Sequence, residues 1–309
     1  MRKLLQILFT SFILFSQYSF SQQLSEWSAY TSMREASRLF VGSDFVWVAT
    51  SGGVLRFDRT AATFSRFTRL NGLPSNEVSC MTIDEQGNIW FGTRYSGLGR
   101  LEKGKNEFDP VISDFNDLEI RSLFSYGRDV YVGTDRGVSL YSEDRKEVKE
   151  SYRQLGNLIK DTKVNSVNIM NGTIWVGADG GVAWADLNQL NLQDPLSWKS
   201  TTSPGQVVDM VFFEGIPIVA SSRGVFSINY ETQRASIDFD NLDIVALTNF
   251  EGTLIAATRS GLFFRRVGVR EWEEINSFGI TGVSDISGVG SELWVATYTG
   301  LRILGDKKI

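Results

Sequence analysis

Asp84-Glu85-Gln86-Gly87-Asn88-Ile89-Trp90-Phe91-Gly92-Thr93-Arg94-Tyr95-Ser96-Gly97-Leu98 contains the pattern that decides the fold. A turn leads into a three-residue apolar run, Gly92 and Thr93 end it, and Gly97 opens a second apolar run after three variable residues. The same order recurs along the chain: Val46-Trp47-Val48-Ala49-Thr50 with Gly53, Val130-Tyr131-Val132-Gly133-Thr134 with Gly137, and Ile174-Trp175-Val176-Gly177-Ala178 with Gly181. Pro217-Ile218-Val219-Ala220-Ser221 with Gly224, Leu254-Ile255-Ala256-Ala257-Thr258 with Gly261, and Leu293-Trp294-Val295-Ala296-Thr297 with Gly300 complete the set. The closing glycines are 44, 40, 44, 43, 37 and 39 residues apart, a period that identifies an internal repeat.

Each copy has room for four short strands. An apolar run such as Val78–Ile83 or Val164–Met170 precedes the pattern, and Asn171-Gly172 or Glu251-Gly252 supplies a tight hairpin turn. A third strand follows the closing glycine, and a fourth, mixing charge with aromatics, lies around Phe64, Trp198 and Trp272. Four strands in about forty residues is the blade of a β-propeller. The second strand is apolar on both faces, as a blade covered on both sides requires, and the fourth carries charges suited to an outer edge. Gly or Ala at the fourth pattern position is expected to let neighbouring blades approach closely, and the closing glycine to supply a positive φ. The reading is therefore an all-β, seven-bladed propeller over residues 22–309. After Leu301–Leu304 only five residues remain, while Glu26-Trp27-Ser28-Ala29-Tyr30-Thr31 resembles the other fourth strands. Residues 27–31 are therefore expected to complete the last blade.

Residues 1–21 read as a secretory signal peptide: Arg2 and Lys3, an apolar stretch from Leu4 to Phe15, and small residues in Ser19-Phe20-Ser21 before Gln22. The stretch is shorter than the roughly 20 apolar residues a membrane span needs. The expected location is outside the cytoplasm, in the periplasm or at the cell surface. A net charge of −5 without a basic run argues against nucleic acid as a partner. With no histidine in the chain, Ser-His-Asp and Cys-His nucleophiles and His-ligated metals are excluded. Neither a metal nor another cofactor is expected. Cys80, the single cysteine, sits in an apolar run and reads as a small buried hydrophobe.

Asn71-Gly72-Leu73-Pro74-Ser75-Asn76, followed by the Asp84–Leu98 stretch, resembles the two-component-regulator propeller repeat. That resemblance implies a periplasmic sensor-type propeller that binds a ligand. The opening Trp27 and Tyr30 with seven blades are also similar to the propeller part of a type IX secretion surface component, which implies a structural or adaptor role.

Trp47, Trp90, Tyr131, Trp175 and Trp294 share one repeat position, and repetition argues for packing. Asp84 reads as turn structure. The variable turns between second and third strands carry Arg94, Tyr95, Asp135, Arg136, Asp179, Arg223, Arg259 and Tyr298. Arginines and tyrosines ringed around an axis could hold an acidic or sugar-like ligand through charge-assisted hydrogen bonds and stacking. The function expected is non-catalytic binding, of glycan fragments or of a surface or periplasmic protein. A carboxylate-dependent glycosidase, which needs two facing acids, is the catalytic alternative.

Overall fold

Seven antiparallel sheets follow one another along the chain in the computed structural model, which describes Met33 and residues 35–241, 243–275 and 280–305. All lie in one compact unit spanning residues 31–309. Each sheet is a meander of consecutive strands and forms one blade, so the chain is a seven-bladed β-propeller. The innermost strands of blades 1 to 7 are Ala36–Val41, Val78–Ile83, Ile120–Tyr126, Val164–Met170, Val207–Phe213, Ile244–Phe250 and Val283–Val289. Each packs against the innermost strand of the next blade, and Val283–Val289 packs back on Ala36–Val41, closing the ring. Among the described residues, blades 1, 3, 4, 5 and 6 have four strands and blades 2 and 7 have three. In blade 2 the outer position is taken by residues 109–112, whose backbone bonds Arg100 and Leu98. The expected signal peptide and the strand expected at residues 27–31 lie outside the described residues. No helix among those residues is long and apolar enough to cross a membrane.

The repeat pattern has a physical role at nearly every position. After their first residue the second strands are buried, and Ile89–Thr93 is buried from end to end. The threonine that ends them turns its hydroxyl onto the closing glycine's carbonyl: Thr50 to Gly53 at 2.8 Å, Thr93 to Gly97 at 2.6 Å, Thr297 to Gly300 at 2.7 Å. Six of the seven closing glycines have a positive φ; Gly261 does not. Close approach adds a second requirement. A Cβ on Gly137, Gly181 or Gly224 would lie 2.2, 2.1 or 2.2 Å from a carbonyl oxygen at the end of the outer strand. Asp84 is buried as a turn organiser: its carboxylate accepts from the Gln86 and Asn88 backbone, the Asn88 amide and the Trp90 indole. The aromatics of the repeated position are all buried, Trp90 completely.

The fourth pattern position sets the spacing between blades. A Cβ on Gly92 would meet Ile120 Cγ2 at 2.5 Å, one on Gly133 would meet Val164 Cγ1 at 2.7 Å, and one on Gly177 would meet Val207 Cγ1 at 2.5 Å. Each of those partners is the first residue of the next blade's innermost strand. Where the position is alanine, as at Ala49, Ala220, Ala257 and Ala296, the residue has no exposed surface. Cys80 packs in the joint between blades 2 and 3 with Trp90, Ile120 and Leu123, and burial pushes its thiol up to about 12, far from a reactive thiolate. Overpacking this joint is costly. Gly177→Ala is therefore expected to destabilise the protein by about 1–3 kcal/mol, and by less in a Val207→Ala background. Chemical denaturation of the four proteins of that cycle measures both effects.

Candidate ligand site at the axial mouth

All seven innermost strands break register at one point, with a bulge immediately after their first residue. The residue left over is Ser37, Ser79, Arg121, Asn165, Val208, Val245 or Ser284 in blades 1 to 7. A bulge re-aims its side chain, and here the seven form a layer around the axis. Five of them, Ser37, Ser79, Arg121, Asn165 and Val208, line a cavity of about 420 Å³ together with Arg38, Arg94, Glu119 and Gln206. The wall is thus polar and rich in arginine.

A continuous network crosses four blades at this mouth. Arg94 Nε lies 3.0 Å from Glu119 Oε1, the oxygen that also accepts from Arg121 Nη1 at 2.8 Å. Arg121 Nε donates to Asn165 Oδ1 at 2.7 Å. Asn165 Nδ2 donates to Asp179 Oδ1 at 2.8 Å and to the Val207 carbonyl at 2.7 Å, and Gln206 Nε2 also reaches Asp179 Oδ1, at 3.1 Å. Arg38 stands apart: exposed at the wall, it bonds the Ser37 carbonyl and forms no ion pair among the described residues.

The bulged residues and their successors also tie the blades together. Ser79 Oγ donates to the Ile120 carbonyl and Ser284 Oγ to the Ala36 carbonyl, each reaching the next blade. One residue further along, Ser122 Oγ accepts from the Val167 N–H at 2.9 Å, Asp209 Oδ2 from Leu247 at 2.8 Å, and Asp285 Oδ2 from Leu39 at 2.8 Å. The other oxygens of Asp209 and Asp285 accept from the N–H groups of Met210 and Ile286. Burial pushes Asp209 up to about 6, and the nearby charge of Asp285 adds to the rise. Burial raises Asp285 too, against the pull of Arg38.

The turn residues singled out from sequence divide. Arg94 lines the mouth, and it shares a second, smaller cavity of about 230 Å³ with Tyr298, Glu35 and Glu77. Asp179 reaches the mouth through Asn165. Asp135 accepts from the Glu119 N–H at 3.1 Å, holding the carboxylate-bearing residue from behind. Tyr95 and Arg136 are exposed in their turns, and so is Arg259. Arg223 turns aside, donating to the Pro204 carbonyl with its guanidinium 5.7 Å from the Phe226 ring centre. The residues missed are Arg38, Glu119, Arg121, Asn165 and the two axial aspartates. No cluster of potential metal ligands occurs among the described residues.

Residues 72–95 match the model of the two component regulator propeller family, so that stretch of the chain is such a repeat. No curated protein matches the chain. Among solved structures, PorZ, a surface component of the type-IX secretion system of Porphyromonas gingivalis, is 17% identical with a TM-score of 0.73, over 90% of this chain and 38% of PorZ. The extracellular domain of the hybrid two component system BT3049 from B. thetaiotaomicron is 18% identical with a TM-score of 0.72, over 88% of this chain and 40% of that one. Virginiamycin B lyase from Staphylococcus aureus is 13% identical with a TM-score of 0.67, over 87% of this chain and 94% of the lyase. The chain thus spans about 40% of the length of the first two, and all three share its fold. One ring serving such different proteins leaves function to be argued from the site.

Asp209 gives the mouth a pH signature. Its folded pKa lies above the ordinary 3.8, so between about pH 4 and 6 the folded state holds a proton that the unfolded state has released. The resulting stability is present in full below about pH 4 and is lost as pH rises through 6. Asp209→Asn removes this titration. The melting temperature of the wild type is therefore expected to fall relative to that of the variant as pH rises from about 4 to 6, and the difference to level off above that. Parallel profiles would show that Asp209 is not buried as described.

Proposed function

We propose that this propeller is an extracytoplasmic binding module that holds an acidic carbohydrate fragment at its axial mouth. One observation carries the reading: three arginines, Arg38, Arg94 and Arg121, meet at a polar cavity with only Glu119 as their direct carboxylate partner there, among the described residues. Arg38 and the outward face of Arg94 are open to a carboxylate, and Arg–carboxylate pairs are among the stronger hydrogen-bonded contacts. Ser37, Ser79 and Asn165 stand in the same wall and match a sugar's hydroxyls. The leader-like residues 1–21 and the match to a regulator repeat support a place outside the cytoplasm.

A hydrolase reading draws on Asp209 and Asp285, two axial acids with raised pKa values, one of them near the range of a general acid. Against it, every carboxylate oxygen of the pair already accepts a backbone N–H, and neither residue lines the cavity. An adaptor role in a surface or secretion assembly would place contacts on the rim.

Calorimetric titration with tri-galacturonate and with the neutral trigalactose tests the proposal. Binding is expected for the acidic sugar alone, without release of new reducing ends. Arg38→Ala and Arg94→Ala are each expected to weaken it by about 1.5–3 kcal/mol while leaving stability within about 0.5 kcal/mol. Equal binding of both sugars, or binding indifferent to both arginines, would overturn the assignment. Hydrolysis lost in Asp209→Asn would move the protein to the second reading.

A further inference from the structure

A third cavity, of about 210 Å³, opens between blades 1 and 2 at the end of the strands opposite the axial mouth. Its origin lies in one position of the repeat. In blades 5 and 6 the residue six places after the start of the innermost strand plugs the joint with the following blade. In blade 6 it is Phe250, buried and so close to blade 7 that a Cβ on Gly288 would lie 2.2 Å from its ring. In blade 5 it is Phe213, also buried, with the Arg265 guanidinium of blade 6 at 4.9 Å from its ring centre. Blade 1 has Gly42 at this position, and the plug is missing.

The hole left behind is floored by rings. Phe40, Phe45 and Trp47 line it from blade 1, and Ile89 and Leu101 from blade 2. Arg56, also in the lining, holds its guanidinium 5.0 Å from the Phe45 ring centre and 5.6 Å from that of Trp47. It forms no ion pair among the described residues. Trp47 is only 7% exposed, and its indole N–H, like that of Trp175, makes no hydrogen bond among the described residues, while those of Trp90 and Trp294 bond Asp84 and Glu292. A guanidinium bonded to Ser65 and Asn106 but to no carboxylate thus meets an apolar, aromatic floor in one place. For scale, a dry cavity of about 150 Å³ accepts benzene, so this one has space for a ring and a small substituent.

We infer that the joint between blades 1 and 2 is a binding site for a small aromatic carboxylate, whose ring takes the place of the missing plug and whose acid group pairs with Arg56. The protein builds the same combination internally at the joint of blades 5 and 6, with Phe213 beneath Arg265. Lys103 and Lys105 extend the positive side of the rim, and Asp44 and Glu102 oppose them, which disfavours a ligand with more than one negative charge. This site is independent of the axial mouth and stands whether or not sugars bind there.

Phenylacetate, with benzyl alcohol as its neutral counterpart, is the probe, followed by ligand-observed NMR titration on the full protein. Saturable binding of phenylacetate is expected, at least tenfold tighter than that of benzyl alcohol. Arg56→Gln should abolish that preference while the ring still binds. Gly42→Phe restores the plug: Gly42 has no positive φ, and a Cβ there would meet the Phe45 carbonyl oxygen at 3.3 Å, a contact a small shift relieves; it should abolish binding of both probes. Arg38→Ala, at the other mouth, should change neither. Failure of phenylacetate to saturate by about 10 mM, roughly ten times a millimolar Kd, would overturn the inference. So would binding that persists in a folded Gly42→Phe protein, or an unchanged acid preference in Arg56→Gln.

Discussion

Seven inner strand edges face the axis of this ring, and no strand is there to pair with them. That is the constraint on which the rest depends. An unpaired edge of backbone donors and acceptors is a liability that a folded protein must cover. Here each blade lends side chains to the next: Ser79 and Ser284 bond the following strand's first carbonyl, and Ser122, Asp209 and Asp285 accept its fourth N–H. The small residue of the second strand lets those side chains reach, because Gly92, Gly133 and Gly177 bring the next blade within contact of the backbone. Polar residues are therefore concentrated at the axis for structural reasons, and the mouth that results is where a polar ligand finds donors already in place.

Most of this fold can be read in the sequence because a repeat multiplies weak signals. A single Gly92-Thr93 step means little, but seven such steps at one spacing define the blade, and the threonine–glycine hydrogen bonds explain why both residue types recur. Part of the physics was still hidden. A positive φ accounts for six closing glycines, but a Cβ on Gly53, Gly137, Gly181 or Gly224 would also meet a carbonyl oxygen at 2.1–2.4 Å, so space matters as much as conformation. The outer position of blade 2 was illegible, since residues 109–112 pair too briefly to produce a strand-like run.

The site was only half legible, for a definite reason. Variable turns point to Arg94, Asp179 and Tyr298, and these do stand at or beside the mouth, while Arg223 is drawn off by a carbonyl and a ring. The bulge layer escapes a reading based on alternation, because one extra residue shifts a side chain to a face its neighbours do not share. A usable signal did exist. With the seven copies set in register, the second residue of the innermost strand is Ser37, Ser79, Arg121, Asn165 or Ser284 in five of them, polar where an apolar strand has no reason to be. Gly42 is a sign of the same kind, a missing side chain where Phe213 and Phe250 fill other joints.

Amide hydrogen exchange at Leu39, Val167 and Leu247 tests most directly whether side chains from one blade cap the inner edge of the next. These three N–H groups face away from their own second strands and bond only Asp285, Ser122 and Asp209. Their exchange is expected to be as slow as that of buried second-strand amides such as Val132, and Asp209→Ala is expected to accelerate Leu247 selectively. Fast exchange of all three in the wild type, at rates typical of open strand edges, would contradict the account.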